Sequence, residues 1–177
     1  ADYCFFSPLN DSELPEVDAL WLPGGYPELH AAQLGANQSI QQAIREFHQA
    51  GNPVLAECGG FLYSLETLTD LDEQQYPMTG LMTGHGAMRG KRGCQGMQTA
   101  ALPEGEVRAH AHHRSRAFGT DAPIAHGRRQ RHPAPGEPIF REGSLTASYL
   151  HLFFPSNPAV IAAIFSGQFE HTEGTAG

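Results

Sequence analysis

The stretch Pro53-Val54-Leu55-Ala56-Glu57-Cys58-Gly59-Gly60-Phe61-Leu62-Tyr63 decides how this chain folds. A short apolar run ends in a cysteine, two glycines follow, and an apolar stretch of helical character begins. That is the pattern of a nucleophile elbow: a strand, a sharp turn with the nucleophile at its tip, then a helix. Strand and helix approach closely there, so small residues are needed two before and two after the nucleophile. Ala56 and Gly60 fill both positions. A cysteine at a helix N-terminus also faces unpaired backbone N–H groups, which favour the attacking thiolate. A buried cysteine at an ordinary turn meets the same short pattern, so the rest of the chain must decide between them.

Upstream, Tyr3–Phe6 and Ala19–Leu22 read as short buried strands separated by a turn-rich stretch, and the second runs into Pro23-Gly24-Gly25. Ser39–Ala50 is an amphipathic helix: Ile40, Ala43, Ile44 and Phe47 recur at helical spacing, Asn37 or Ser39 can cap it, and Gly51 stops it. Pro53–Glu57 is the third strand and Gly59–Leu68 the helix after the elbow. This alternation predicts an α/β fold, an open and mostly parallel sheet with helices on both faces. Downstream, Gln98–Leu102 and Glu106–His110 read as strands, and the Pro-, Gly-, His- and Arg-rich stretch Asp121–Pro138 as a mobile surface loop. Leu145–Leu150 is a strand that ends at His151. Asn157 then caps a helix with Pro158 at its first position and Val160, Ile161, Ile164 and Phe165 on its buried face.

The chain has 177 residues, 40% of them hydrophobic and 17% charged, a globular balance enough for one domain with a real core. We take residues 1–170 as that domain and 171–177 as a disordered tail. A net charge of −8 argues against nucleic acid as partner. No apolar run reaches membrane-spanning length, and the start shows no signal-peptide pattern. Cys4, Cys58 and Cys94 form no Cys-x-x-Cys pair, which fits a reducing cytoplasm. The opening on Ala1-Asp2-Tyr3, without methionine, predicts a domain cut from something longer.

In open α/β sheets, sites form at the carboxyl ends of strands. Three strands here end at Gly24-Gly25, at Cys58 and at His151. A thiolate needs a base to manage protons, and a histidine on a neighbouring strand end supplies one. Gly25 and Gly59 are candidate backbone donors for the oxyanion of a tetrahedral intermediate, with Gly24 and Gly60 beside them.

The motifs Leu22-Pro23-Gly24-Gly25-Tyr26-Pro27-Glu28, Ala56-Glu57-Cys58-Gly59-Gly60 and Ser148-Tyr149-Leu150-His151-Leu152, with Ser156-Asn157-Pro158 behind, closely resemble one family. It is the glutamine amidotransferase domain of cobyrinic (or hydrogenobyrinic) acid a,c-diamide synthase. Phe5-Phe6-Ser7-Pro8-Leu9 and Pro77-Met78-Thr79-Gly80 add to the match, which covers nearly the whole chain in the family's order. The resemblance implies a class I glutamine amidotransferase-like, flavodoxin-like fold. It implies that Cys58 attacks the side-chain amide of glutamine and that His151 shuttles protons. Tyr26, Glu28, Glu57, His110 and His113 are implied as supporting residues. No cofactor is implied in this domain. The family's Mg-ATP belongs to an N-terminal synthetase domain, which receives the ammonia and activates the corrinoid's a and c carboxylates. This chain has no Gly-x-x-x-x-Gly-Lys-Ser/Thr phosphate loop, so that domain is expected to lie outside it.

The chain also departs from the pattern. Many class I amidotransferases carry a glutamate two residues after the histidine, where this chain has Phe153. The family's Gly-His-x-Phe-His-Tyr-Ser motif is eroded to Ala109-His110-Ala111-His112-His113-Arg114-Ser115, with His110, His113 and Ser115 matching. On a strand His110 and His112 share a face that could chelate zinc, but no carboxylate or cysteine stands nearby in sequence, so no metal is expected. Three alternatives stay open: a degenerate domain with a docking role, the related cobyric acid synthase branch, and a cysteine hydrolase of similar fold with another substrate.

Overall fold

The computed structural model describes residues 1–91, 93 and 95–167. Cys94 and the tail expected at 171–177 lie outside them. Eight strands form one sheet in the order β1 (Leu20–Leu22), β2 (Val54–Glu57), β11 (Leu145–Ser148), β10 (Pro135–Glu142), β9 (Ala125–Arg129), β6 (Gln95–Leu102), β7 (Gly105–His112), β12 (His151–Leu152). The α/β class is the expected one, but within this sheet parallel pairing is confined to β1, β2 and β11. Every other junction is antiparallel, so the sheet is mixed. The sheet curls until its two ends meet: Trp21 on β1 packs against Phe154, just beyond β12, with ring centroids 5.0 Å apart. A smaller sheet runs β4 (Gln75–Pro77), β3 (Thr67–Thr69), β5 (His85–Met88), β8 (Ser115–Phe118).

Strand periodicity places a core on each face. Along β2, Val54 and Ala56 join one cluster and Leu55 the other. The first core lies under α1 (Ala31–Ala36), α2 (Gln38–Gln49) and α3 (Gly59–Ser64), with Ile40, Ile44, Phe61 and Leu65 fully buried. The second is covered by α4 (Pro158–Ser166) through Val160, Ile161 and Ile164, whereas Phe165 is only partly buried. Helices thus stand on both faces. The Asn37 side chain caps α2 by accepting from the Ile40 N–H at 3.4 Å, and Gly51 beyond it takes φ +87°.

Four sequence expectations need correction. Tyr3–Phe6 is not a strand: among the described residues nothing pairs with it, and Tyr3 and Phe5 are 84% and 90% exposed, packed edge-on against each other. The helix after the elbow ends at Ser64 rather than Leu68, because Leu65 turns extended and the β-branched Thr67 and Thr69 enter β3 with Leu68 buried between them. Asp121–Pro138 is not a loop throughout, since β9 and the start of β10 lie inside it. Two of its glycines serve packing: a Cβ on Gly127 or Gly136 would stand 2.2 or 2.0 Å from Oε1 of the buried Gln98. Finally, Asn157 precedes α4 without a side-chain cap; its amide donates instead to the Glu106 carbonyl at 2.9 Å.

Candidate active site

Cys58 joins β2 to α3 with φ +50° and ψ −103°, a region that non-glycine residues avoid. Both ends of the turn are pinned. The Cys58 N–H continues the parallel ladder onto the Ser148 carbonyl at 2.9 Å, and the Leu62 N–H closes the first helical turn on the Cys58 carbonyl at 3.1 Å. Strain of this kind persists only where the surroundings over-determine it. Gly60 shows why the sequence needs a glycine there: a Cβ would stand 2.0 Å from the Leu22 carbonyl oxygen. Its N–H donates to the Pro23 carbonyl at 3.1 Å, so Gly60 serves the turn and has no donor left for a substrate.

The Gly24-Gly25 segment beyond β1 folds over this turn. A Cβ on Gly59 would lie 2.8 Å from the Gly25 nitrogen, so the two backbones are in contact. The Gly59 N–H is directed at the Cys58 sulfur and favours its thiolate. Gly24 backs onto His151, whose Cε1 would stand 2.3 Å from a Cβ placed there. The structure therefore gathers Gly24, Gly25, Cys58, Gly59 and His151 at neighbouring ends of β1, β2 and β12; His151 opens β12 against β7 rather than ending the strand expected at Leu145–Leu150, which stops at Ser148. Tyr26 is exposed at the rim, and Glu28 follows in a short 3-10 helix, near enough to oppose charge on the sulfur.

The electrostatics differ from the sequence expectation. Burial pushes the Cys58 thiol up to about 11; the Gly59 N–H counters this, while Glu28, Glu137 and Glu57 add to it. The six-residue α3 and one directed N–H do not offset that desolvation. Sγ donates to the His112 carbonyl at 3.6 Å rather than to the His151 ring. The His151 imidazole is pushed down by partial burial first, then by His110 and His112, which favours its neutral, proton-accepting form. His110 is its cross-strand neighbour, with ring centroids 6.5 Å apart.

His113 lies deeper. Its Nε2 meets Glu137 Oε1 at 2.7 Å, its Nδ1 meets the Ser115 carbonyl at 3.1 Å, and its ring stacks on Tyr149 at 3.6 Å. The Ser115 hydroxyl donates to Tyr149 Oη at 2.9 Å, and burial pushes the Tyr149 phenol up. The eroded histidine motif thus supplies a buried brace behind the sulfur. Among the described residues no cluster of metal-ligating side chains forms.

Two partners were not singled out from sequence. Glu137 sits at the end of the stretch read as a loop, where its place just before the apolar pair Ile139-Phe140 is the signal of a strand. Trp21 reads as one more apolar strand residue, yet it is half exposed and its indole N–H reaches Glu57 at 2.5 Å.

A model of the CobB/CobQ-like glutamine amidotransferase domain matches residues 1–159. The chain belongs to this family. It is 44% identical over 164 residues to the hydrogenobyrinate a,c-diamide synthase of Stutzerimonas stutzeri, which covers 93% of this chain and 38% of that protein. The same identity links it to the Pseudomonas aeruginosa protein of that name, over 94% of this chain and 38% of the relative. It also links it to the cobyrinate a,c-diamide synthase of Herminiimonas arsenicoxydans, with the same two shares. The chain thus spans under two-fifths of the length of these relatives. Within this glutamine amidotransferase domain, no helix among the described residues is long and apolar enough to cross a membrane.

Proposed function

We propose that this chain is the glutaminase unit of a cobyrinate or hydrogenobyrinate a,c-diamide synthase, working in the cytoplasm. The observation that carries the reading is Cys58 at φ +50° on the strand–helix turn, with the Gly59 N–H aimed at its sulfur. His151 takes the thiol proton, and the thiolate attacks the carboxamide carbon of glutamine. The backbone N–H groups of Gly25 and Gly59 receive the negative oxygen of the tetrahedral intermediate, a task typically worth about 10²–10³ in rate per donor. His151 returns the proton to the leaving nitrogen, ammonia departs, and a glutamyl thioester remains. Water activated by His151 then releases glutamate. The ammonia passes to a synthetase part that uses Mg-ATP to activate the corrinoid's a and c acetate carboxylates.

The buried thiol, with its S–H directed to the His112 carbonyl, favours one second reading: a quiescent domain whose role is docking. One experiment separates the two. Cys58→Ala or Cys58→Ser in the full-length protein abolishes glutamine-dependent amidation and leaves ammonia-dependent amidation intact, because Cys58 acts only in making ammonia. Normal glutamine use by either variant overturns the nucleophile assignment.

A further inference from the structure

Glu57 stands at the end of β2, one residue before the nucleophile, and is only 2% exposed. Its two oxygens are used in opposite directions. Oε1 accepts the Trp21 indole N–H on β1 at 2.5 Å, and Oε2 accepts the Leu152 backbone N–H on β12 at 2.5 Å. These strands are the two ends of the curled sheet, and Glu57 ties them together.

The tie matters most for β12, which is two residues long and paired on one edge only, to β7. The next N–H along, that of Phe153, bonds the Arg108 carbonyl within β7 at 2.8 Å. Backbone N–H groups alternate direction along an extended strand, so the Leu152 N–H points off the unpaired edge. Without Glu57 it would be an orphan donor. His151 precedes Leu152 by one peptide, and its ring rests on Gly24, two residues past the end of β1. Glu57 therefore grips the strand that carries the imidazole and the strand that leads to its backstop. No hydrogen bond orients the ring itself: among the described residues neither ring nitrogen makes one, and two residues beyond it stands the exposed Phe153.

We propose that Glu57 is the positioning residue for His151, holding the imidazole against the Gly24 backbone through the Leu152 N–H and the Trp21 indole, in place of a carboxylate on the ring itself. The proposal rests on the Cys58–His151 reading above. Its chemistry requires two acceptors and no donor. A glutamine at 57 keeps the shape but turns an amide N–H₂ toward one of the two N–H groups, so one bond becomes a donor–donor conflict. Trp21→Phe removes the indole bond and spares the Leu152 bond.

The test compares Glu57→Gln, Glu57→Asp and Trp21→Phe in the full-length protein, with Cys58→Ala as control. Glu57→Gln lowers kcat with glutamine by about 10- to 100-fold, the scale of a sub-ångström misplacement. KM for glutamine and ammonia-dependent amidation stay as they were. Trp21→Phe loses less than Glu57→Gln, and Glu57→Asp recovers part of the loss. In NMR spectra the His151 ring signals move in Glu57→Gln and move less in Trp21→Phe. A Glu57→Gln protein with lower thermal stability but wild-type kcat and unmoved His151 signals would reduce Glu57 to a sheet brace and overturn the proposal. If instead Cys58→Ala retains glutamine turnover, the nucleophile reading fails, while the His151 signals still decide what Glu57 does.

Discussion

Burial outweighs the helix N-terminus at Cys58, and the same competition has the same outcome at Glu57. There desolvation raises the carboxyl from 4.5 to about 7, although the Leu152 and Trp21 N–H groups favour its charged form. A folded-state pKa above the unfolded one contributes stability that is complete below the unfolded value and lost as pH rises through the folded value. The window is therefore pH 4.5 to 7. Over it the wild type should lose up to about 3 kcal/mol of unfolding free energy relative to Glu57→Gln, which cannot ionise. Urea unfolding of both proteins across this range measures the difference; a constant offset would mean that Glu57 is not shifted. The carboxylate that holds both donors is thus the form that costs stability, as is common for groups placed for function.

Among the elements, the pattern of small and apolar residues was sufficient where the local sequence carries its own reason. Val54–Glu57, the elbow, α2 with its Asn37 cap, and α4 were all legible, because close approach, capping and helical spacing are local constraints. What was not legible depends on distant partners. Nothing in Tyr3–Phe6 reveals that no ladder awaits it, and nothing in the Gly127 and Gly136 neighbourhood reveals Gln98 pressing on both. The grouping of Gly24 and Cys58 was legible as two strand ends, whereas His151 reaches them from β12 and not from the end of the Leu145–Leu150 strand. The clamp through Glu57 was not legible, since it exists only once the sheet has curled. The two glycines of the site can be told apart by substitution. Gly24 is exposed, and an added Cβ would meet only the His151 ring, which can move. Gly24→Ala should cost about 100-fold in glutamine turnover while changing unfolding free energy by less than about 0.5 kcal/mol. Gly60→Ala would meet the Leu22 backbone, which cannot give, and should destabilise the fold. Turnover by Gly24→Ala at the wild-type rate, measured beside its urea midpoint, would show that the ring's seat on Gly24 is irrelevant.

In the whole molecule, the curl leaves the site open at one end of the sheet. Tyr26 and Leu29 are each 71% exposed, Phe153 is 56% exposed, and His110 and His112 lie on the same exposed side of β7. The sulfur, by contrast, is buried and protonated, with its hydrogen directed to the His112 carbonyl at the end of β7. Activation requires breaking that S–H contact, and the groups that hold it belong to the exposed strand rather than to the core. The curated relatives are more than twice as long as this chain, and under the proposed function the synthetase part would cover this rim. Closure by a partner is a common means of completing such a site, since productive geometry demands sub-ångström placement. We therefore expect slow glutamine hydrolysis by residues 1–177 alone, with Cys58 still labelled covalently by a glutamine-like electrophile such as diazo-oxo-norleucine. Addition of the synthetase part with Mg-ATP and corrinoid should raise kcat and shift the pH dependence of labelling to lower values, as the thiol loses its acceptor and gains the imidazole. Glutamate release timed with and without the partner measures the effect. Equal rates in both would show that the buried thiol is already competent and that the rim needs no cover.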